Sequence, residues 1–165
     1  MKELLSNLIE ALREELKQYG EMLALLDQQQ HLVMHRQVAE LPDNVCLVNA
    51  QAAVIAVARQ EREQRQRHLF RLLSLPESAT FAVLMPLLPA DYRPLVDALV
   101  RENNELLVRV QQRARQNHLM LSHCVELMQQ LINSIVPSVS PTTYDGSGHV
   151  PAAAVLPQPL YQAVG

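Results

Sequence analysis

Apolar residues recur at helical spacing along three long stretches of this chain. The first reads Leu5, Leu8, Leu12, Leu16, Tyr19, Leu23, Leu26, Gln30 and Val33, then drifts through Met34, Val38 and Leu41. Steps of three and four predict a helix with a narrow, coiled-coil-like seam. Pro42-Asp43-Asn44 is expected to end that helix and to cap the next. Gly20 lies inside it at a cost of about 1 kcal/mol against alanine, which marks a close approach or a bend. The second helix is expected over 44–73, with Val48, Ala52, Ile55, Leu69, Leu72 and Leu73 as its apolar contacts. Its middle, 59–68, puts charge on every side. It reads as a solvated surface whose arginine stems lie over a neighbour's apolar edge.

From Ser74 to Pro89 the pattern breaks. Pro76, Pro86 and Pro89 punctuate Phe81-Ala82-Val83-Leu84-Met85, which predicts a connector with a short helix capped by Ser78, plugging the core. Asp91 is expected to cap the third long helix, with Pro94 harmless in its first turn. The stripe then runs Leu95, Leu99, Leu106, Val110, Leu121, Cys124, Met128, Leu131 and Ile135, with Asn103 and Asn117 near it. Polar residues in a seam fix register at some cost in stability, and Asn103, Asn104 and Asn117 are the candidates for that role. Short turns make neighbouring helices antiparallel. Laid side by side, the second helix would begin near Leu121, leaving roughly 13 residues, about 20 Å, of the third helix uncovered. The expected fold is therefore all-α: an elongated antiparallel bundle of three long helices plus a short connecting helix, over 1–136. An uncovered apolar helix face marks a protein interface. Its candidate residues are Met120, Leu121, Cys124, Leu127, Met128, Leu131, Ile132 and Ile135.

Residues 137–165 have a different composition. Five of the ten prolines and three of the four glycines fall there, and Asp145 is the one charged side chain. The segment is expected to be an extended tail, yet Val150, Val155, Leu156, Leu160, Tyr161 and Val164 are too apolar for a merely solvating one. One expectation is that 155–161 folds back over the end of the third helix as a lid.

Composition and charge narrow the function. Four glycines and few aromatics in 165 residues favour helices over sheets. A net charge of −3 with interleaved signs offers no field for nucleic acid. The N-terminus lacks the pattern of a secretory signal. The nearly apolar run 45–58 is shorter than the roughly 20 residues a membrane helix needs, so a cytoplasmic protein without membrane insertion is expected. Cys46 and Cys124 have no metal spacing and are read as buried small apolar residues. His31 and His35, four apart, share a helix face but have no third ligand in view; a metal-binding helical domain would need one from another helix. His118 and His123 point to different sides. With no nucleophile framework and no phosphate loop, neither an enzyme nor a cofactor is indicated.

In the third helix, Leu99-Val100-Arg101-Glu102-Asn103-Asn104-Glu105-Leu106-Leu107 and its amphipathic continuation, followed by Thr143-Tyr144-Asp145-Gly146-Ser147-Gly148, resemble the FlgN family of flagellar type III export chaperones. Tyr19 followed by Met22-Leu23-Ala24-Leu25-Leu26 is similar to that family's first helix. The resemblance implies a cytoplasmic chaperone that binds the C-terminal helical segments of hook-filament junction proteins and docks them at the export machinery. Carried over residue by residue, it implies the end of the third helix as client surface and Tyr144 as a contact with the export gate. Asp145 departs from the pattern by separating Tyr144 from Gly146. The competing reading is a structural coiled-coil adaptor or a homodimer pairing through 127–135.

Overall fold

Long helices make up nearly all of the described residues. The computed structural model describes residues 2–76 and 79–135. Helix α1 spans Lys2–Met34, α2 spans Leu41–Leu72, α3 is a single turn at Phe81–Leu84, and α4 spans Arg93–Ile135. Two 3-10 turns, Val38–Glu40 and Met85–Leu87, lie before α2 and after α3. There is no strand among the described residues, so the fold is all-α with three long helices and a short connecting one. The chain divides into two compact units, Met1–Val125 and Glu126–Gly165. Packing is described for the first; of the second, the described part is the final turns of α4. The expected tail, its lid and Tyr144 lie outside the described residues.

α1 is the central helix. Its buried positions Leu5, Leu8, Leu12, Glu15, Tyr19, Met22, Leu26 and Gln29 keep the spacing of three and four, while Leu16, Leu23 and Gln30 are only half-buried. The covered stripe is wider than the expected narrow seam because both α2 and α4 lie against α1. One core cluster joins Leu5, Leu8, Ile9 and Leu12 of α1 to Leu69 and Phe70 of α2, Leu84 and Leu88 of the connector, and Val96 and Leu99 of α4. A second gathers Tyr19, Met22 and Leu26 of α1 around Val110 of α4, with Val48 and Ile55 of α2 packed against it. Each fully buried aliphatic side chain here contributes about 1.5–3 kcal/mol.

Amide side chains from both neighbours reach main-chain carbonyls of α1. From α2, Asn44 Nδ2 donates to Leu25 O at 3.1 Å and Gln51 Nε2 to Gln18 O at 3.0 Å, so the two helices run antiparallel. From α4, Asn103 Nδ2 donates to Leu12 O at 3.0 Å and Asn117 Nδ2 to Leu26 O at 2.7 Å. These two pairs share a separation of 91 residues, so α4 runs parallel to α1 and Met34 is level with Val125. A helical carbonyl has a second lone pair beyond the one its own helix uses, and that is the acceptor here. We infer that these bonds select the register, because a slip would leave the same amides buried without partners at about 1–3 kcal/mol each. Selection has its cost: Oδ1 of Asn44, Asn103 and Asn117 is buried without a hydrogen-bond partner. Asn104, grouped with them by sequence, is exposed.

Several element boundaries differ from the sequence reading. α1 stops at Met34 rather than running to Leu41, because Arg36 adopts a left-handed conformation with φ 58°. Arg36 N donates to Val33 O and Gln37 N to Leu32 O, the paired bonds of a Schellman cap. α2 ends in the same way at Ser74, φ 55°, with Leu75 N donating to Phe70 O and Ser74 N to Arg71 O. Pro42 therefore lies in the first turn of α2, where its missing N–H is not needed, instead of terminating α1. Asn44 caps nothing; it is one of the buried bridging amides.

The N-cap residue of α3 is Thr80, and Ser78 lies outside the described residues. α4 begins at Arg93 rather than at an Asp91 cap, and Arg93 holds the connector by donating to Leu88 O and Pro86 O, each at 2.8 Å. In α4, Val96 takes the buried place expected of Leu95, which is exposed; in α2, Ala52 and Leu72 are exposed. The N-terminal part of α2 is level with Asn117, one turn short of the expected Leu121, since Asn44 and Asn117 meet α1 at adjacent residues.

Gly20 marks neither a bend nor a close approach. α1 is continuous through it, and a Cβ built there meets nothing within 4 Å. Gly20→Ala is expected to stabilise the protein by about 1 kcal/mol, raising the melting temperature by about 2–4 °C in thermal denaturation. A lower melting temperature would show that the site needs glycine.

Candidate functional site

Three surfaces carry chemistry that the fold itself does not use up. The first is the end of α4. Of the residues singled out from sequence, Met120, Leu121 and Cys124 are half-buried within the first unit. In the second unit Leu127, Met128, Leu131, Ile132 and Ile135 are exposed, at 60, 51, 60, 59 and 76 %. Steps of three and four set Leu127, Met128, Leu131 and Ile135 on one side of the helix, where an amphipathic partner helix would find an apolar strip.

The second surface was missed by sequence reasoning. An exposed side of α2 carries Leu47, Val54 and Val57 at 52, 45 and 57 % exposure, together with Cys46, Ala50 and Ala53. Cys46 is thus exposed and Cys124 half-buried, neither being the buried residue expected. The signal was present in the sequence: 45–58 is apolar nearly all round, whereas a helix with one neighbour needs only one apolar side. By length and composition the helical span Val38–Leu72 could cross a membrane, with a best-window mean hydropathy of 1.4. Against that, Asn44, Gln51, Arg59 and Arg62 of the same span bond to α1.

The third surface is a groove of about 480 Å³ between α2 and α4, with α1 as its floor and the connector at one end. Beside it lies a buried charge network. Glu15 is 4 % exposed at a seam position of α1. Its Oε2 accepts from Arg62 Nε at 2.8 Å, and its Oε1 accepts from the Tyr19 hydroxyl at 2.9 Å. Arg59 Nη2 donates to the Tyr19 oxygen at 2.8 Å, and Arg62 Nη1 donates to Gln66 at 2.8 Å. The segment read as a solvated surface therefore sends two of its arginines inward, because Glu15 stands where the seam of α1 would otherwise hold an apolar residue. That misplaced charge between Leu12 and Tyr19 was the legible clue. A buried carboxylate is tolerable here because Arg62 and the Tyr19 hydroxyl each satisfy one of its oxygens, with the Arg59 guanidinium a further 3.6 Å from Oε1.

On the neighbouring part of α4, Arg113 forms an ion pair with Asp27 at 2.7 Å and donates to Gln30 at 2.6 Å. The rings of His31 and His35 stack with centroids 3.8 Å apart, and His35 Nδ1 donates to His31 O at 2.9 Å. No group of three or more potential metal ligands occurs among the described residues. His118 and His123 are exposed.

Burial pushes the Tyr19 hydroxyl above its ordinary value of 10.0; the Arg59 hydrogen bond opposes the rise and Glu15 adds to it. The Arg59 guanidinium is held above its own ordinary value, chiefly by its bond to Tyr19. A tyrosine whose folded value is raised keeps its full stabilising contribution below about pH 10 and loses it as pH climbs through the folded value. Thermal denaturation between pH 9 and 11.5 should show a steeper alkaline loss of stability in the native chain than in Tyr19→Phe. Parallel profiles would mean that Tyr19 titrates alike in the folded and unfolded chain.

Comparison with known proteins gives one positive finding. The family model described as FlgN protein matches residues 1–152. Neither the search of curated proteins nor the search of solved structures found a match. A match over nearly the whole chain, on an all-α fold whose third long helix carries the Asn103-Asn104 sequence and an exposed apolar end, places this protein in the FlgN family of flagellar export chaperones.

Proposed function

We propose that the protein is a cytoplasmic export chaperone that binds the C-terminal helical segments of hook-filament junction proteins and delivers them to the flagellar type III export apparatus. The observation that carries this reading is the exposed apolar strip of Leu127, Met128, Leu131, Ile132 and Ile135 in a chain that belongs to the FlgN family. Met120, Leu121 and Cys124 would extend the client surface on the same helix. A client helix laid on this strip removes apolar area from water on both partners, and Met128 adapts its shape to more than one sequence. Delivery would use Tyr144 as the contact with the export gate. The role is one of binding, without catalysis or cofactor.

The alternative is self-association as a coiled-coil homodimer. It draws support from the free outer face of α2 as well as from the end of α4. The two readings part in calorimetric titration with a peptide from the C-terminal helix of a hook-filament junction protein. Saturable binding with a negative heat-capacity change is expected for the native chain. Met128→Asp combined with Leu131→Asp removes two apolar side chains that a bound client would cover, each worth about 1.5–3 kcal/mol, and should weaken binding at least 100-fold with the helix content unchanged. A native chain that ignores the peptide and sediments as a dimer would contradict the chaperone reading.

A further inference from the structure

We infer that the groove between α2 and α4 is a second client site, which takes one amphipathic helix of the exported protein in the position a fourth bundle helix would occupy. The inference rests on the client-binding reading above but uses other residues, all within the first unit. The floor is formed by Leu12 and Tyr19 of α1, the walls include Gln66 of α2 with Val100 and Leu107 of α4, and Phe81 of the connector stands at one end. A volume of about 480 Å³ suits the few side chains that one face of a helix inserts.

Two observations specify the occupant. The apolar lining is only partly used: Val100, Leu107 and Phe81 are half-buried, each packed on one side against the core. On α4 the row Val100, Leu107, Ala114 and Leu121 repeats every seven residues beside the row Asn103, Val110, Asn117 that meets α1. A second row at that spacing is a second coiled-coil seam, and its matching partner is a helix. The groove also offers no net charge. Arg59 and Arg62 are paired with Glu15, and Arg62 also reaches Glu63, so the inserted face of the occupant must be uncharged. Asn103 lines the groove at 6 % exposure, its Nδ2 is committed to the Leu12 and Leu99 carbonyls, and its Oδ1 has no partner. That oxygen is closed off like those of Asn44 and Asn117, so the occupant is specified by the apolar rows and the balanced charge. A second copy of this chain, which has exposed apolar residues of its own on α2 and at the end of α4, is the rival occupant that the crosslink distinguishes; an acidic peptide or a nucleic acid has no charge to meet.

Asn104 is exposed on the lip of the groove and holds no core position. The test uses the full chain with a photo-crosslinking benzoylphenylalanine at position 104, and separately Asn104→Trp, each mixed with the C-terminal helical peptide of a hook-filament junction protein. The expected result is a crosslink to the peptide and at least tenfold weaker binding by Asn104→Trp, with Glu102→Trp, away from the groove lining, unchanged. Unaltered affinity in Asn104→Trp without a crosslink to the peptide would overturn the groove site while leaving the α4 strip as client surface. A crosslink to a second copy would overturn the choice of occupant. Failure of the folded native chain to bind the peptide at all would overturn the chaperone reading and this inference with it.

Discussion

The packing of this molecule depends on amide side chains reaching main-chain carbonyls of one central helix. α1 receives Asn44 and Gln51 from α2 and Asn103 and Asn117 from α4. Apolar rows spaced by three and four can mesh in several registers a heptad apart with little difference in buried area. A buried amide cannot, because away from its carbonyl it loses a bond that water no longer replaces. The asparagines thus trade some stability, visible in their unpaired Oδ1 atoms, for one alignment of the three helices. The charged counterpart is the Glu15, Tyr19, Arg59 and Arg62 network, which ties the middle of α1 to α2 and sits on the groove.

That alignment determines what is left over for function. With α1 and α4 parallel and offset by 91, the paired part of α4 is used up at Val125, level with the end of α1. The remaining turns of α4 carry five exposed large apolar residues, and α2 shows three more on its outer face. Exposed apolar surfaces of this kind are what a self-sufficient bundle would lack. The FlgN assignment points to flagellar export substrates, and the exposed apolar rows are the places proposed for them.

Much of this was legible in the sequence, for identifiable reasons. The three long helices follow from apolar spacing, and Asn103 and Asn117 stood out because they interrupt a seam. Helix ends were less legible. Arg36 and Ser74 take the left-handed conformation where glycine is usual, so the two C-caps carried no glycine signal. Pro42 looked like a terminator because a proline that ends one helix and a proline that opens the next are the same residue in a list. Glu15 and the exposed run of α2 depend on which helix lies beside which, a fact about tertiary neighbours that one-dimensional periodicity does not contain. The candidate surface at the end of α4 was visible because its apolar spacing continues without a break to Ile135.

The register itself can be measured by double electron–electron resonance between spin labels at Glu10 and Arg101, exposed residues on α1 and α4, with Cys46 and Cys124 replaced by serine. The native chain should give one narrow distance. Replacing Asn103 and Asn117 together by leucine should add a second population, displaced along the helix by about 10 Å for a one-heptad slip. A single unchanged distance in the substituted chain would show that apolar packing alone sets the alignment, and would contradict the dependence on buried amides.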